Sequence, residues 1–333
     1  MQTLLEVNHL VTSFQTERGP VTAVDGLSFS VQKGETLGIV GESGCGKSVT
    51  AESILRLLDE RLTRYEGDIL FNGEDLLKLS PKSMERVRGK DIAMIFQDPM
   101  SSLNPVYTVG DQLVEVLRKH LKLSKKAAYQ KAVDLISLTG IPSPEKQVER
   151  YPFEMSGGIR QRIMIALALA CQPKLLIADE PTTALDVTIQ AQILDLLQEL
   201  QETHQMGMIL ITHDLAVVAE TCDRVAVMYL GQVVEETTVE HLFERPLHPY
   251  TIGLMKSVPT LEGSRTERLH QIPGTVPSLH EVPLGCRFAS RCEFATQQCV
   301  EEAPPFIEDT ESHKIRCWHY REIEEQGEEL HVK

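Results

Sequence analysis

One segment of the sequence places glycine, lysine and serine at a spacing that binds phosphate. It runs Gly41-Glu42-Ser43-Gly44-Cys45-Gly46-Lys47-Ser48, which fits the pattern G-x-x-x-x-G-K-[ST]. The glycines let the backbone curl so that several N–H groups face one centre, and the helix that follows adds its positive dipole. We expect Lys47 to reach the β- and γ-phosphates of a nucleotide and the Ser48 hydroxyl to ligate Mg²⁺. Val49, the next residue, is included in this predicted site.

An acidic pair follows an apolar run further along the chain. Leu175–Ala178 reads as a buried strand, and it ends in Asp179 and Glu180. The carboxyl ends of parallel strands face the ligand crevice of an open α/β sheet. Asp179 is therefore predicted to hold Mg²⁺ through its water shell, and Glu180 to polarise the attacking water. General-base catalysis of this kind contributes roughly 10²–10⁴-fold to a rate.

A third segment, Met155–Arg162, opens an apolar helix with a serine and two glycines. Ser156 is a predicted N-cap, and the helix N-terminus is a second anion site. The segment resembles the signature of the ATP-binding cassette (ABC) ATPases. In that family, the serine and glycines of one subunit complete the ATP site of another, which implies this role for Ser156, Gly157 and Gly158. Ile159 stands where many members have glutamine, a departure that leaves the backbone roles unchanged.

Other positions match the same family residue by residue. Gln97 resembles the Q-loop glutamine, which senses Mg²⁺ and water and relays to a membrane partner. Asp186, in Ala184-Leu185-Asp186, resembles the D-loop, and His213 resembles the switch histidine that contacts the γ-phosphate. Phe14 corresponds by approximate position to the aromatic residue that stacks on adenine. The resemblance implies ATP and Mg²⁺ as cofactors, with the metal held by Ser48, Gln97 and Asp179.

The sequence after residue 245 is rich in proline and cysteine. Arg245–Thr251, Ser257-Val258-Pro259, Gly285–Phe288 and Cys317-Trp318 resemble the C-terminal extension of importer ATPases for oligopeptides, dipeptides and nickel. We therefore predict an ABC ATPase domain over residues 1–245. Residues 246–333 are predicted to form a small, loop-rich extension with a four-cysteine metal motif.

Four of the seven cysteines lie in this extension, separated by 5, 6 and 17 residues: Cys286, Cys292, Cys299 and Cys317. A chain in a reducing compartment does not build two disulfides, so four thiols this close suggest a metal. Zinc sites favour tighter C-x₂₋₄-C pairs, whereas iron–sulfur ligation tolerates looser spacing. Some members of the resembled branch carry a [4Fe–4S] cluster on such cysteines. Three hypotheses remain open for these cysteines: an iron–sulfur cluster, a zinc site, and structural thiols without a metal.

The elements that position these residues can also be read from the sequence. Apolar strands alternating with helices predict parallel βαβ units, and Asn-Gly predicts a hairpin turn. The predicted fold class is α/β, and the resemblance implies a P-loop NTPase (ABC ATPase) with a mixed sheet core, an antiparallel β-subdomain, a helical subdomain and a small cysteine-containing C-terminal module. The predicted strands are Leu4–Phe14, Val21–Val31, Leu37–Val40, Leu175–Ala178, Met208–Ile211, Val225–Tyr229 and Gln232–Glu235. The predicted helices are Ser48–Leu58, several within residues 110–161, and Ile189–Thr203.

Composition excludes some classes of function. The chain has 33 lysines and arginines against 48 aspartates and glutamates, a net charge of −15, which argues against nucleic-acid binding. No apolar run approaches the ~18 residues that cross a bilayer, and the first residues lack a signal peptide pattern. We therefore expect a chain in the cytoplasm, a location that still allows docking on a membrane protein.

The family resemblance also implies partners. These are a sister ABC ATPase or a second copy of the chain, two transmembrane permease subunits and an extracytoplasmic peptide-binding protein, at the cytoplasmic face of the membrane. The predicted function is ATP hydrolysis that powers uptake of di- and oligopeptides. The alternatives are import of nickel, a metallophore or a sugar, an ABC ATPase acting on DNA or ribosomes, and an ATP-binding scaffold without turnover.

Overall fold

A computed structural model describes residues 2–183, 186–257, 271–310 and 313–330. The chain divides into two compact units, each assembled from separate segments. The first unit comprises residues 1–5, 30–36 and 70–211, and the second comprises residues 6–29, 37–69 and 212–333. The C-terminal residues therefore belong to the same unit as the phosphate loop. The predicted domain boundary at residue 245 stays a prediction.

Strands and helices account for most of the described chain. The strands are β1 (Thr3–Thr16), β2 (Gly19–Gln32), β3 (Thr36–Val40), β4 (Thr63–Phe71), β5 (Glu74–Asp75), β6 (Ile92–Ile95), β7 (Leu175–Asp179), β8 (Gly207–Thr212), β9 (Arg224–Tyr229), β10 (Gln232–Thr238), β11 (Ile307–Thr310) and β12 (His313–Ile315). The helices are α1 (Lys47–Ile54), α2 (Pro81–Val87), α3 (Pro99–Ser102), α4 (Val109–Leu121), α5 (Lys125–Leu138), α6 (Pro144–Gln147), α7 (Gly157–Leu169), α8 (Val187–His204), α9 (Leu215–Thr221), α10 (Val239–Glu244), α11 (Pro249–Lys256), α12 (Gln297–Glu301) and α13 (Tyr320–Leu330). Within the described ranges, no helix combines the length and apolarity that a membrane crossing needs.

The first unit contains a parallel three-stranded arrangement. β6 pairs with β7 and β7 pairs with β8, both in parallel. All five residues of β7 are buried, which explains why its sequence is a continuous apolar run rather than an alternating one. Helix α8 makes the crossover between β7 and β8, so the predicted βαβ unit is confirmed.

The helices of the first unit pack around an aliphatic core. Helix α4 begins at Thr108, whose hydroxyl accepts from the Asp111 N–H at 3.1 Å, and it buries Leu113 and Leu117. Helices α5 and α7 contribute Ala132, Ile136 and Ile163 to the same core, among others. The helix-rich character predicted for residues 110–161 is confirmed.

The second unit combines parallel and antiparallel pairing. β3 pairs in parallel with β9, while β9, β10, β12 and β11 pair antiparallel in that order. The predicted β9–β10 hairpin is confirmed, and its turn residues Leu230 and Gly231 both have positive φ (44° and 82°). β12 pairs with β10 at Ile315 and Glu235. The segment predicted as loop-rich thus contributes two strands, which are short and lack the apolar run that would have marked them.

Two predicted element bounds are wrong. Helix α1 ends at Ile54 rather than Leu58, because Arg56 adopts a left-handed conformation (φ 49°) that a helix cannot continue through. β2 begins at Gly19 rather than at the predicted Val21. The Asn72-Gly73 turn is confirmed: both residues have positive φ, and β4 pairs antiparallel with β5.

Candidate functional site

The phosphate loop wraps around the Lys47 ammonium group. Lys47 begins α1 and is 6% exposed; its Nζ donates to the carbonyl oxygens of Gly41 at 2.8 Å and Glu42 at 3.1 Å. Gly46 has φ 104°, and a Cβ there would lie 2.6 Å from the Ala23 carbonyl oxygen. Only glycine fits this position, because both the backbone conformation and the close approach exclude a side chain.

The acidic pair lies at the carboxyl end of β7, as predicted. Asp179 is 4% exposed. Glu180 has φ 45°, and its N–H donates to the Ile211 carbonyl oxygen at 2.9 Å. Left-handed conformations of non-glycine residues cost about 1–3 kcal/mol and cluster at functional sites. The backbone at Glu180 is therefore held in a strained conformation directly after β7.

The Glu180 carboxylate accepts two side-chain hydrogen bonds. Gln97 Nε2 and Thr183 Oγ1 each donate to Glu180 Oε2 at 2.9 Å. The structure thus brings together two residues that the sequence placed in one site. Both Gln97 and Glu180 lie in the first unit, at the ends of the neighbouring strands β6 and β7.

The serine–glycine segment caps α7. Ser156 Oγ accepts from the Ile159 N–H at 3.4 Å, which confirms Ser156 as the N-cap. A Cβ at Gly157 would meet nothing within 4 Å, whereas one at Gly158 would lie 3.2 Å from Ile189 Cγ2. Among the described residues, nothing fills the space beside Gly157, and a helix N-terminus is a favourable position for an anion.

The remaining predicted residues lie at element ends or on strands. Asp186 is the N-cap of α8, where its Oδ1 accepts from the Ile189 N–H at 3.0 Å; Ala184 and Leu185 lie outside the described residues. His213 is exposed and follows β8, and Phe14 is half-buried on β1. Their roles toward a nucleotide stay predictions, as do those of Ser48 and Val49 in α1.

The C-terminal segment (residues 246–333) contacts the phosphate loop (residues 41–48), which the sequence did not predict. The Glu42 N–H donates to the Tyr250 hydroxyl at 2.8 Å. Arg291 Nη1 and Nη2 donate to the two Glu42 carboxylate oxygens at 2.6 and 3.0 Å. Hydrogen bonding to Glu42 raises the pKa of Arg291 above its ordinary value. No local pattern could reveal this contact, because 208 and 249 residues separate the partners.

A buried carboxylate attaches the C-terminal segment to β10. Glu235 is 0% exposed and accepts from the Leu247 N–H at 2.7 Å, the His248 N–H at 2.9 Å and His313 Nε2 at 2.8 Å. His248 is buried as well, and desolvation lowers its pKa to about 4, against a smaller opposing effect of Glu235. Its neutral Nδ1 accepts from the Tyr250 N–H at 3.1 Å and so caps α11.

The four C-terminal cysteines line one small cavity of about 20 Å³, together with aromatic and histidine side chains: Cys286, Cys292, Cys299, Cys317, Phe288, Phe294, Trp318, His248 and His319. Burial raises the pKa of Cys292 to about 11 and that of Cys317 to about 12, and the neighbouring thiols add to the effect. Across the described ranges, no group of three or more histidine, cysteine or acidic side chains is arranged to hold a metal ion. The predicted cysteines are therefore adjacent, without a preformed single-ion site.

Exposed apolar side chains follow the Gln97 segment. Val106 is 71% exposed and Tyr107 is 55% exposed, and both lie between α3 and α4. Tyr151 and Phe153, also exposed, stack with their ring centroids 5.4 Å apart. Apolar side chains exposed in this way mark a surface for a protein partner more often than isolated ones do.

Comparison with known families gives two matches on this chain. Residues 24–183 match the family described as ABC transporter. Residues 234–299 match the family described as Oligopeptide/dipeptide transporter, C-terminal region. The second match spans the junction where the composition changes along the sequence.

Curated relatives match nearly the whole chain. The oligopeptide transport ATP-binding protein OppD of Bacillus subtilis (strain 168) is 55% identical over 316 residues, which is 95% of this chain and 88% of OppD. The dipeptide transport ATP-binding protein DppD of the same strain is 53% identical over 319 residues, which is 96% of this chain and 95% of DppD.

Solved structures share the fold. The dimeric post-hydrolysis state of the ATP-binding cassette MJ0796 bound to ADP and Pi has a TM-score of 0.64 at 24% identity, over 71% of this chain and 99% of that one. The cbiO1 protein from Clostridium perfringens, part of the ABC transporter complex cbiONQ, has a TM-score of 0.62 at 28% identity, over 73% of this chain and 92% of that one. The predicted α/β nucleotide-binding fold is confirmed.

Proposed function

The chain belongs to the ATP-binding proteins of the ABC transporter family, in the oligopeptide/dipeptide branch, and on this premise we propose that it is the ATP-hydrolysing subunit of an importer for short peptides. The observation that carries the proposal is the phosphate loop around Lys47 together with the Glu180 carboxylate held by Gln97. The relatives named for oligopeptide and dipeptide transport support the cargo class.

Each residue of the site has a separate role in phosphoryl transfer. Lys47 exchanges the loop carbonyl oxygens for β- and γ-phosphate oxygens, and the N–H groups of the glycine loop add further donors. Glu180 orients the attacking water and accepts its proton, while His213 donates to the γ-phosphate. The oxygen donors of Ser48, Gln97 and Asp179 suit Mg²⁺, which when bound neutralises charge on the phosphate oxygens.

The N-terminus of α7 supports a site shared between two chains. A Cβ at Gly157 would meet no described atom within 4 Å, so there is room beside the first turn of α7 for the nucleotide held by another cassette. We infer that two cassettes clamp two ATP molecules head to tail, and that the second cassette is a sister ATPase or another copy of this chain. ATP favours the closed pair, and hydrolysis releases it, which links nucleotide state to conformation.

The exposed Val106 and Tyr107 support contact with a permease. We infer that the surface formed by residues 100–113 receives a coupling helix from one of two transmembrane subunits at the cytoplasmic face of the membrane. An extracytoplasmic binding protein then supplies the peptide. Gln97 precedes this surface in sequence and contacts Glu180, so movement of the permease reaches the catalytic carboxylate through one loop.

Uptake into vesicles tests the cargo and the docking surface together. The four-subunit importer is reconstituted with its binding protein. Entry of labelled di- and tetrapeptides is followed with ATP supplied on the side of the membrane that carries this chain. We expect peptide entry to require ATP and to be lost in Val106→Asp. Val300→Asp, at a valine that is 59% exposed, should transport normally. Entry of nickel or a nickel chelate without entry of peptide would replace the peptide assignment.

We further infer that the four C-terminal cysteines bind iron and sulfide as a [4Fe–4S] cluster. Their position around one cavity supports this reading. The cavity as it stands holds about one water molecule, and the four thiols around it would be the ligands of the cluster. When bound, the cluster would crosslink the segment that carries these cysteines, a structural role rather than an electron-transfer one.

Anaerobic purification followed by iron and acid-labile sulfide assays tests the cluster. We expect iron and sulfide in the parent protein and a loss of both in Cys317→Ser, whereas Cys171→Ser, outside the cavity, retains them. Stoichiometric zinc instead would favour a single-ion site. Folded protein without any metal would leave the cysteines as structural thiols.

A further inference from the structure

Glu42, the second residue of the phosphate loop, is held by the C-terminal segment at two points. Its carboxylate forms the bidentate pair with Arg291, at 2.6 and 3.0 Å. Its backbone N–H donates to the Tyr250 hydroxyl at 2.8 Å. The third polar group of the residue, its carbonyl oxygen, accepts from Lys47 Nζ at 3.1 Å. Glu42 therefore links the C-terminal segment to the lysine that contacts phosphate.

Both partners of Glu42 are fixed in place. The Arg291 side chain is 3% exposed, and its guanidinium lies 5.8 Å from the Tyr229 ring centroid and 5.9 Å from that of Phe288. Tyr250 is 0% exposed and packs against the same two rings, at 4.8 and 5.4 Å. Buried, aromatic-packed donors and acceptors lose little freedom on making their hydrogen bonds, so this anchor is rigid.

A second arginine of the same segment holds the turn that contacts the loop. Arg287 donates to the Leu230 carbonyl oxygen and to the Asp25 carboxylate. The turn that it holds donates back to the loop, since the Gly231 N–H bonds to the Cys45 carbonyl oxygen at 2.8 Å. Arg291 thus contacts the phosphate loop directly. Arg287 supports it indirectly, through the turn at Leu230 and Gly231.

We propose that the C-terminal segment completes the nucleotide site, with Arg291 and Tyr250 as positioning residues that hold Glu42 and cancel its charge. The inference rests on the proposed function, because it assigns these residues to the ATP site described above. It departs from the view of residues 246–333 as a separate appendage, since two of their side chains contact the loop directly.

The charge of Glu42 opposes the binding of ATP unless Arg291 neutralises it. Glu42 places a negative charge in the loop that binds a triphosphate, and repulsion acts over a Debye length of about 8 Å at physiological salt. Arg291 neutralises that charge. Removing Arg291 alone leaves Glu42 uncompensated, so binding of ATP weakens. Removing both charges relieves the repulsion, so binding recovers.

Calorimetric titration of the full chain with Mg·ATP tests the proposal. We expect Arg291→Met, which keeps the apolar stem, to raise the Kd roughly tenfold, as loss of a charge-assisted pair does. Adding Glu42→Gln to that variant brings the Kd back to within about threefold of the parent. Arg245→Met is the matched control, because Arg245 pairs with Asp309 and Glu324 away from the loop and its loss leaves the Kd unchanged.

Tyr250→Phe tests the backbone anchor separately. It removes only the hydroxyl that accepts from Glu42, and we expect the Kd and the KM for ATP to rise about threefold with kcat unchanged. Tyr320→Phe, a buried tyrosine whose hydroxyl accepts from Arg321, leaves both constants as they are. Tyr250→Phe decides the matter if Arg291→Met does not fold.

Two results would overturn the inference. One is parent-like binding in folded Arg291→Met or in Tyr250→Phe. The other is a double variant that binds as weakly as Arg291→Met and melts at the same lowered temperature, since that outcome assigns Arg291 to stability alone. A parent chain that binds no Mg·ATP would instead remove the proposed function itself.

Discussion

Gln97 and Glu180 lie 83 residues apart in sequence, and the side-chain amide of Gln97 donates to the Glu180 carboxylate at 2.9 Å. Each follows one of two adjacent parallel strands, β6 and β7. Strand adjacency therefore creates this pair, and the left-handed backbone of Glu180 completes it. In the proposed mechanism, the amide orients the carboxylate toward the attacking water.

Gln97→Ala tests this relationship. We expect kcat for ATP hydrolysis to fall about tenfold, because the loss of one hydrogen bond to a charged group costs roughly 1.5–3 kcal/mol and water replaces part of it. The KM for ATP changes little, since the phosphate loop is untouched. Steady-state phosphate release gives both constants. Gln198→Ala, which removes an exposed amide bonded to Glu202 on α8, is the control, and an undiminished kcat in Gln97→Ala contradicts the prediction.

Gly46→Ala tests the close approach in the phosphate loop. A methyl group there meets the Ala23 carbonyl oxygen at 2.6 Å, in addition to the left-handed strain of about 1–2 kcal/mol. We expect Mg·ATP binding to be lost and the melting temperature to fall by more than in Gly73→Ala. Gly73 also has positive φ (81°), but a Cβ there meets nothing within 4 Å. Equal melting temperatures in the two variants would show that the Ala23 contact is unimportant.

Local sequence patterns predicted the elements that carry the chemistry. The buried strands β7 and β8 are continuous apolar runs, and the caps Ser156 and Asp186 are residues with strong N-cap preference. The Asn72-Gly73 turn follows from the ease with which both residues adopt positive φ. In each case, residues near in sequence determine the structure, so a local pattern suffices.

The same patterns could not predict contacts between distant segments. The pairing of Arg291 with Glu42 depends on packing around Tyr229 and Phe288. β12 is three residues long, and its position is set by pairing with β10. The early end of α1 at Ile54 follows from Arg56 taking a left-handed conformation in spite of the apolar residues beyond it. Contacts between distant segments determine the first two, and the backbone conformation of a single residue determines the third.

His248 predicts a stability change at acidic pH. Its pKa in the folded chain is about 4, below the ordinary 6.5, so the unfolded chain binds the extra proton between these values. Above pH 6.5, His248 therefore costs the folded chain no stability. As the pH drops toward 4, this residue lowers the free energy of unfolding by at most about 1.4 kcal/mol per pH unit. Asn in its place offers Oδ1 as the acceptor for the Tyr250 N–H without titrating.

Urea unfolding at pH 7 and pH 5 measures this effect. We expect the loss of stability between the two pH values to be about 2 kcal/mol smaller in His248→Asn than in the parent. His280→Asn, at an exposed histidine, should show the parental loss. An equal loss in His248→Asn and the parent would mean that His248 is protonated without cost in the folded chain.

The central claim is that this chain hydrolyses ATP. The most direct test measures phosphate release from Mg·ATP by the assembled importer and compares Glu180→Gln with the parent. Removing the general base should lower kcat about 10²–10⁴-fold while Mg·ATP binding is retained. Glu199→Gln, which changes an exposed glutamate of α8, should hydrolyse at the parental rate. Equal rates in Glu180→Gln and the parent would contradict the assignment of Glu180 and, with it, the catalytic site described above.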